Sequence, residues 1–224
     1  MTSKETLARI TGIGVVPVIR AASADAAIQV VDAIVDGGIA IAEITMTVPG
    51  AIEVISEVSK RMGADVLVGA GTVTHAETAR RCIQAGAQFL VSPGFDQETV
   101  TLAKFEQKLI MAGALTPTEV ITAWKAGADF VKIFPCGNLG GPKYIKALKG
   151  PLPHVPMIPT GGVNLQTAAD FIRAGAVALG IGGELVSAAA LKSGNTEEIT
   201  EAAKKYVAIV REARGEQLIA AAAL

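Results

Sequence analysis

The sequence predicts an α/β protein, a (β/α)8 barrel, from three observations. Its 224 residues contain eight short apolar runs, and successive runs begin 21–26 residues apart. The runs are continuous rather than alternating, which is typical of parallel strands that are buried on both faces. Each gap mixes apolar and polar residues at helical spacing and is long enough for one crossover helix. Evenly spaced units without a switch point favour a closed barrel, and a doubly wound open sheet is the alternative.

The elements follow one another in a regular order along the chain. The eight predicted strands begin at Val15, Ile41, Val66, Gln88, Leu109, Phe130, Pro156 and Val177. The predicted helices between them cover Ala26–Val35, Ala51–Arg61, Ala76–Ala85, Glu98–Phe105, Glu119–Ala126, Lys143–Leu148 and Thr167–Ala174. A single barrel domain is therefore expected over residues 1–224, with a core in 13–195. Residues 1–12 should hold a short helix over Thr2–Ile10 that covers the barrel's bottom, and 196–224 the last helix and an alanine-rich tail.

Two helix starts carry a recognisable signal. Thr74 with Glu77, and Thr116 with Glu119, have the spacing of a capping box, in which two side chains and two backbone amides bond reciprocally. Pro117 follows the second cap, at the first helical position, where its missing N–H costs nothing. A capping box is therefore expected at the start of each of these two helices.

Composition excludes several classes of function. The chain has 20 basic and 21 acidic residues and only 4% aromatic residues, so neither a nucleic-acid surface nor a polybasic membrane patch is expected. Its apolar runs are far below the roughly 18 residues that span a membrane. Residues 1–5 lack the apolar core of a signal peptide. Cys82 and Cys136 form no CxxC pair, which favours free thiols in a reducing cytoplasm.

A lysine and a glutamate stand out within the predicted strands. Lys132 lies inside the run Phe130–Phe134, and Glu43 lies inside the run Ile41–Thr45. Burial disfavours the charged form of an amine, and a neutral amine can form a Schiff base with a ketone. A carboxylic acid beside it can move protons. The alternative is a structural role for both residues. Lys132 would then face outward and pair with a carboxylate, and Glu43 would be held in an ion pair, with Lys132 itself as one candidate partner.

Glycine pairs follow the last two strands. The seventh strand ends in Thr160-Gly161-Gly162, and the eighth ends in Gly180-Ile181-Gly182-Gly183. Barrels commonly bind phosphate after these two strands, because glycine lets backbone amides approach an anion. Ordinary turn glycines are the alternative. The sequence favours a phosphate site here.

The remaining candidates give little. His75 and His154 are expected on the surface, Trp124 in the core, and Cys136 as a packed thiol after the sixth strand. The two histidines and two cysteines are too far apart in sequence to indicate a metal-ligand cluster. No metal and no cofactor are therefore predicted.

Six short motifs, in order, resemble one known family. They are Val16-Pro17-Val18-Ile19-Arg20, Glu43-Ile44-Thr45-Met46-Thr47, Gly69-Ala70-Gly71-Thr72-Val73, Val91-Ser92-Pro93-Gly94, Phe130-Val131-Lys132-Ile133-Phe134-Pro135 and Pro159-Thr160-Gly161-Gly162-Val163. The chain resembles the 2-keto-3-deoxy-6-phosphogluconate (KDPG) and 4-hydroxy-2-oxoglutarate aldolases from about Val15 to Val186. The resemblance implies a metal-independent class I aldolase with a (β/α)8 fold that acts on a small 2-keto acid and assembles as a homotrimer.

The resemblance also implies roles for individual residues. Lys132 would form the Schiff base and Glu43 would act as acid and base. The pyruvate pocket would contain Arg20, Thr47, Thr72, Pro93 and Phe134, and the phosphate would bind at Thr160, Gly161, Gly162, Gly182 and Gly183. Two positions depart from the family's pattern. Thr47 stands where many members have an arginine that binds the substrate carboxylate, and Arg20 could replace that charge; Glu184 would repel a phosphate.

Together these observations predict reversible cleavage of a 2-keto-3-deoxy-6-phospho sugar acid to pyruvate and glyceraldehyde 3-phosphate. Cleavage of 4-hydroxy-2-oxoglutarate to pyruvate and glyoxylate is a second possible reaction. Two other functions stay open. One is a phosphosugar isomerase or decarboxylase on the same barrel, in which Glu43 is the base and Lys132 is only an electrostatic partner. The other is a catalytically silent trimer that binds a phosphorylated ligand.

Overall fold

Eight parallel strands form the centre of the protein. The computed structural model describes the backbone of residues 2–222 and the side chains of residues 2–215. The strands are β1 Val15–Ile19, β2 Ile41–Thr45, β3 Leu67–Gly71, β4 Phe89–Val91, β5 Leu109–Ala114, β6 Phe130–Ile133, β7 Met157–Pro159 and β8 Leu179–Ile181. Their order is β7-β6-β5-β4-β3-β2-β1-β8, and a bridge between Thr160 and Gly180 joins the two outer strands. The sheet therefore closes, which confirms the (β/α)8 barrel and excludes the open doubly wound sheet.

Helices surround the barrel and cover its bottom. They are α1 Ser3–Ile13, α2 Ala24–Asp36, α3 Ala51–Met62, α4 Ala76–Gln84, α5 Gln97–Phe105, α6 Pro117–Lys125, α7 Pro142–Lys149, α8 Ala168–Arg173, α9 Ala188–Ser193 and α10 Thr196–Ala222, with a 3₁₀ turn over Gly137–Leu139. The short α9 was not predicted. Residues 223–224 of the predicted tail lie outside the described residues. Within residues 2–222, no helix is long and apolar enough to cross a membrane.

The strands are continuously apolar because both of their faces are enclosed. Every residue of β1 to β8 is buried, with the helices on the outside and the barrel interior on the inside. The polar residues within this buried set include Glu43, Thr45 and Lys132. Burying a charge without compensation is costly, so these side chains need a reason for their position.

Helix α1 closes the bottom of the barrel, as the sequence predicts. The Arg9 guanidinium donates to the Ala64 carbonyl at 2.7 Å, and the Ser3 hydroxyl donates to the Gln107 carbonyl at 2.7 Å. Ala64 and Gln107 precede β3 and β5, which places α1 against the N-terminal ends of the strands. The opposite, C-terminal end of the barrel is left open for a site.

Local boundary predictions had mixed outcomes. The capping box of Thr116 and Glu119 is confirmed. The box expected for Thr74 is wrong, because α4 begins after His75, whose side chain makes no capping hydrogen bond. Trp124 is half-buried rather than in the core, and its ring edge meets exposed His154 at a centroid distance of 6.1 Å.

Candidate active site

The predicted lysine and glutamate meet inside the barrel. Lys132 on β6 and Glu43 on β2 come from opposite sides of the eight-stranded ring. Lys132 is 5% exposed and Glu43 is 2% exposed. The Lys132 Nζ lies 4.0 Å from Glu43 Oε1. The interpretation of Lys132 as an outward-facing lysine is therefore wrong, because its amine is enclosed by the strands.

The two groups attract one another without forming a hydrogen bond. A separation of 4.0 Å is too long for an N–H···O hydrogen bond. Glu43 Oε1 has no hydrogen-bond partner among the described residues, although it is fully enclosed. An unpaired buried polar atom is costly to keep, and such atoms are concentrated at functional sites. Both groups therefore keep their hydrogen-bonding capacity for a ligand.

Burial changes the acidity of the carboxyl group. Removal from water raises the pKa of Glu43 above its usual value, and this effect outweighs the opposing attraction of Lys132 and then Arg20. The neutral acid therefore persists to a higher pH than it would on the surface. A carboxyl group with a raised pKa, enclosed beside an amine, is suited to acid–base chemistry.

An aromatic ring lies beside the amine. The Nζ of Lys132 is 5.3 Å from the centroid of the Phe134 ring, at the distance of a cation–π contact. Phe134 is half-buried and directly follows β6. The structure thus places this predicted pocket residue next to Lys132.

A glycine in β3 makes room for the carboxyl group. A Cβ atom on Gly71 would lie 2.1 Å from Glu43 Oε1, so no larger residue fits while that carboxyl keeps its position. Gly69, two residues earlier on the same inward face, leaves space for the Phe89 ring in the same way. Sequence analysis did not assign Gly71 a role. The signal was present, because a glycine within a strand often marks a close approach.

A second glycine brings a loop against the lysine strand. Gly113 on β5 pairs in register with Lys132. A Cβ on Gly113 would lie 2.2 Å from the Pro93 carbonyl carbon, and the Gly113 amide donates to the Ser92 hydroxyl at 3.2 Å. The predicted pocket residue Pro93 is therefore held against the barrel interior. Gly113 and Ser92 are further residues for which sequence analysis assigned no role.

Threonines tie the ends of β1 and β2 together beside Arg20. The buried Thr45 hydroxyl donates to the Ile19 carbonyl at 2.9 Å and lies 2.6 Å from the Thr47 hydroxyl. Arg20 follows directly after Ile19 and is exposed. Its position at the rim is therefore fixed at the backbone, while its guanidinium remains accessible to a ligand.

A cavity of about 180 Å³ opens at the C-terminal end of the barrel. We call it the rim cavity, and its lining residues are Val18, Arg20, Phe134, Thr160, Gly161, Gly162, Val163, Gly180, Gly182, Gly183 and Glu184. It brings together all five predicted phosphate-site residues with two of the predicted pocket residues. Because Phe134 both lines this cavity and contacts the amine, the rim cavity adjoins the enclosed pair.

The other predicted pocket residues do not line this cavity. Thr47 is exposed, whereas Thr72 and Pro93 are half-buried after β3 and β4. Thr72 has a φ of 61°, in the left-handed region that only a few per cent of non-glycine residues adopt. Such a conformation concentrates at functional sites, and here it lies directly after Gly71.

The described residues hold no group of three His, Cys, Asp or Glu side chains arranged for a metal ion. Cys136 is buried below the rim, where burial raises the pKa of its thiol to about 12. This matches the expected packed thiol.

The fold and the site together define a (β/α)8 barrel protein that encloses an amine and a carboxyl group below a cavity at the C-terminal end of its strands. A family model described as KDPG and KHG aldolase matches residues 7–222. The chain belongs to the KDPG and KHG aldolase family, and it is an aldolase, a carbon–carbon lyase.

Individual relatives agree over nearly their full length. The chain is 33% identical to the 2-dehydro-3-deoxy-phosphogluconate aldolase of Treponema pallidum over 210 residues, which is 94% of this chain and 98% of that one. It is 32% identical to the 2-dehydro-3-deoxy-6-phosphogalactonate aldolase of Escherichia coli, covering 91% and 97%. The crystal structure of the KDPG aldolase of Legionella pneumophila, with pyruvate captured as a covalent carbinolamine, superposes with a TM-score of 0.82 at 29% identity, covering 88% and 96%.

Proposed function

We propose that the protein is a class I aldolase that reversibly cleaves 2-keto-3-deoxy-6-phosphogluconate, or a related phospho sugar acid, to pyruvate and glyceraldehyde 3-phosphate. Cleavage of 4-hydroxy-2-oxoglutarate to pyruvate and glyoxylate is the proposed second reaction. The observation that carries the proposal is the enclosed Lys132 amine, 4.0 Å from a carboxyl oxygen that has no other partner in residues 2–215. The carbinolamine formed by the relative from Legionella pneumophila supports the same chemistry here.

The first half of the reaction joins the substrate to the enzyme. The amine of Lys132 attacks the C2 ketone and gives a carbinolamine. Glu43 donates a proton to the departing hydroxyl group, water leaves, and a protonated imine remains. The raised pKa of Glu43 supports this step, because it favours the acid form, which is the form that donates the proton.

The second half breaks the carbon–carbon bond. The Glu43 carboxylate accepts the proton of the C4 hydroxyl, directly or through a water. The C3–C4 bond breaks, its electron pair moves into the imine, and the aldehyde is released. The resulting enamine is protonated at C3, and water then hydrolyses the imine to pyruvate and regenerates Lys132.

The remaining site residues bind the two ends of the substrate. Arg20 and Thr72 hold the carboxylate at the pyruvate end, and Thr47, Pro93 and Phe134 shape that pocket. The distal end enters the rim cavity, where the amides of Gly161, Gly162, Gly182 and Gly183 and the Thr160 hydroxyl are the donors.

We further propose that the whole chain acts as one catalytic unit that needs no metal ion, forms a homotrimer and works in the cytoplasm. The family match over residues 7–222 supports a single unit. The two free, buried cysteines fit a reducing compartment.

Borohydride trapping tests the proposal. Incubation with pyruvate and borohydride should give a stable adduct on the peptide that contains Lys132, and the Lys149→Met variant should give the same adduct. A lactate dehydrogenase-coupled assay should detect pyruvate release. An isomerase or decarboxylase that uses Lys132 only for its charge predicts turnover without an adduct. If the protein is a catalytically silent binding protein, a phosphorylated ligand should raise its melting temperature and no pyruvate should be released. Either result would refute the aldolase mechanism.

A further inference from the structure

One lining residue of the rim cavity is unsuited to binding an anion. Glu184 lines this cavity together with Arg20, so the cavity carries opposite charges. Within the described residues, neither the Arg20 guanidinium nor the Glu184 carboxylate makes a side-chain hydrogen bond or an ion pair. Burial, and then the charge of Glu184, raise the pKa of the Tyr206 hydroxyl, so the carboxylate also lies near that side chain. Both charges are therefore available to act on whatever occupies the cavity.

A hydrogen-bonded turn holds the backbone of Glu184 next to the rim cavity. The amides of Leu185 and Val186 both donate to the Gly182 carbonyl, at 2.9 Å and 3.0 Å. The side chains of Leu185 and Val186 are 2% and 5% exposed, so they anchor the turn in the core. Glu184 directly precedes them and is exposed at the rim. Its backbone cannot move away from the cavity without extracting two apolar side chains.

The cavity otherwise offers donors. Within residues 2–222, the amides of Gly162 and Gly183 donate no hydrogen bond, and Thr160 contributes a hydroxyl group. An ionised carboxylate, in contrast, only accepts hydrogen bonds. It binds hydroxyl groups well, and it repels a phosphate, which carries a charge of about −1.5 to −2 at neutral pH.

We propose that Glu184 is a specificity-determining residue, which disfavours a phosphate and favours hydroxyl groups at the distal end of the substrate. The proposal rests on the proposed aldol cleavage. It concerns only the part of the substrate beyond the bond that breaks. Compared with a variant in which the charge is removed, the protein then accepts unphosphorylated 2-keto-3-deoxy sugar acids relatively well and phosphorylated ones relatively poorly.

Two substrates that differ only in the distal phosphate provide the test. We would measure kcat/KM for 2-keto-3-deoxy-6-phosphogluconate and for 2-keto-3-deoxygluconate. The Glu184→Gln variant removes the charge and keeps an acceptor, so the ratio of kcat/KM for the phosphorylated substrate to kcat/KM for the unphosphorylated one should rise about tenfold. Glu184→Ala also removes the acceptor, so it should additionally lower kcat/KM for the unphosphorylated substrate by about threefold.

A matched variant separates local from general charge effects. Glu98 lies in the first turn of α5, is exposed and does not line the rim cavity. Glu98→Gln changes the net charge equally and should leave the ratio of the two kcat/KM values unchanged. Salt provides a second measurement, because it screens exposed charges. The difference between the wild-type protein and Glu184→Gln should therefore narrow as ionic strength rises.

The outcomes distinguish this proposal from the one on which it rests. If the wild-type protein releases pyruvate from neither substrate, the aldolase proposal fails and this one fails with it. If pyruvate is released but Glu184→Gln leaves the ratio unchanged, or shifts it as Glu98→Gln does, only the role of Glu184 is refuted. A loss of activity on the phosphorylated substrate in Glu184→Gln would also refute it, because the carboxylate would then be assisting phosphate binding.

Discussion

Charged side chains at the two ends of the barrel differ in whether they form hydrogen bonds. At the bottom, the Arg214 guanidinium donates to the carbonyls of Gly12 and Val177, at 2.9 Å and 2.8 Å. Lys149 likewise donates to the Val155 carbonyl at 2.7 Å. Near the open end, Lys132 lies 4.0 Å from Glu43, and Glu43 Oε1 has no hydrogen-bond partner among the described residues.

The difference separates stability from chemistry. A cationic side chain that donates hydrogen bonds to backbone carbonyls holds the loops in place, and these hydrogen bonds contribute to the stability of the fold. A buried pair that does not close its hydrogen bonds contributes little to folding but can rearrange around a substrate. Substitutions at the bottom should therefore change the melting temperature and leave turnover alone, whereas substitutions in the pair should do the reverse.

Replacing the enclosed lysine should have the largest effect. Lys132→Met removes the amine that we propose forms the imine, so turnover should fall by at least about 10⁴-fold. The fold should survive, because the raised pKa of Glu43 lets the remaining carboxyl stay protonated. The coupled pyruvate assay and thermal unfolding measure the two consequences. Turnover within tenfold of the wild type would show that Lys132 is not the nucleophile.

Replacing the carboxyl should have the next largest effect. Glu43→Gln keeps the shape but cannot exchange a proton, so kcat should fall by roughly 10² to 10⁴-fold. Borohydride should still trap some pyruvate on Lys132. An equal loss of trapping and turnover would contradict a proton-transfer role.

The pH profile sharpens this expectation. In the proposed mechanism the Glu43 carboxylate acts as a base, and burial raises the pKa of that carboxyl above its ordinary value of 4.5. The rate should therefore fall as the pH decreases through the raised pKa, above the range of an exposed glutamate. The Glu43→Gln variant should lack this acid limb. An unchanged limb in the variant would assign it to another group.

Much of this site could be predicted, and the rest could not, for physical reasons. Lys132 and Glu43 stand out because a charge in a continuously apolar strand needs an explanation. Gly71 and Gly113 do not stand out, because a glycine gives no sign of which side chain or loop occupies its missing Cβ. The barrel was predictable from repetition. The helix that begins at Ala76 was predictable too, but its cap was not, because the Thr74 and Glu77 spacing suggests a capping box where the actual cap, His75, makes no side-chain hydrogen bond.

A glycine beside the pair should have a smaller but specific effect. In Gly71→Ala the new Cβ would lie 2.1 Å from Glu43 Oε1 and must displace that carboxyl. We expect kcat to fall about 10- to 100-fold, with imine trapping retained, since proton transfer is sensitive to placement. Gly12→Ala, at the bottom in α1, meets nothing within 4 Å and should retain full activity. Equal activity in both variants would contradict the tight fit at Gly71.

The smallest effect on turnover is expected for substitutions at the bottom of the barrel. They test most directly whether this end serves stability alone. Lys149→Met removes the hydrogen bonds to the Pro153 and Val155 carbonyls, at 3.3 Å and 2.7 Å, and Val155 is fully buried. Leaving that carbonyl unpaired should cost about 1–2 kcal/mol and lower the melting temperature by roughly 2–8 °C. Turnover should stay within about twofold of the wild type.

A neighbouring lysine provides the matched control. Lys146 lies on the same helix and is exposed, so Lys146→Met should shift the melting temperature by no more than about 2 °C. If Lys149→Met instead lowered kcat without lowering the melting temperature, the bottom of the barrel would be coupled to the chemistry. The assignment of stability to the bottom of the barrel and of chemistry to its open end would then be wrong, because a loop that contributes only to stability should not change kcat.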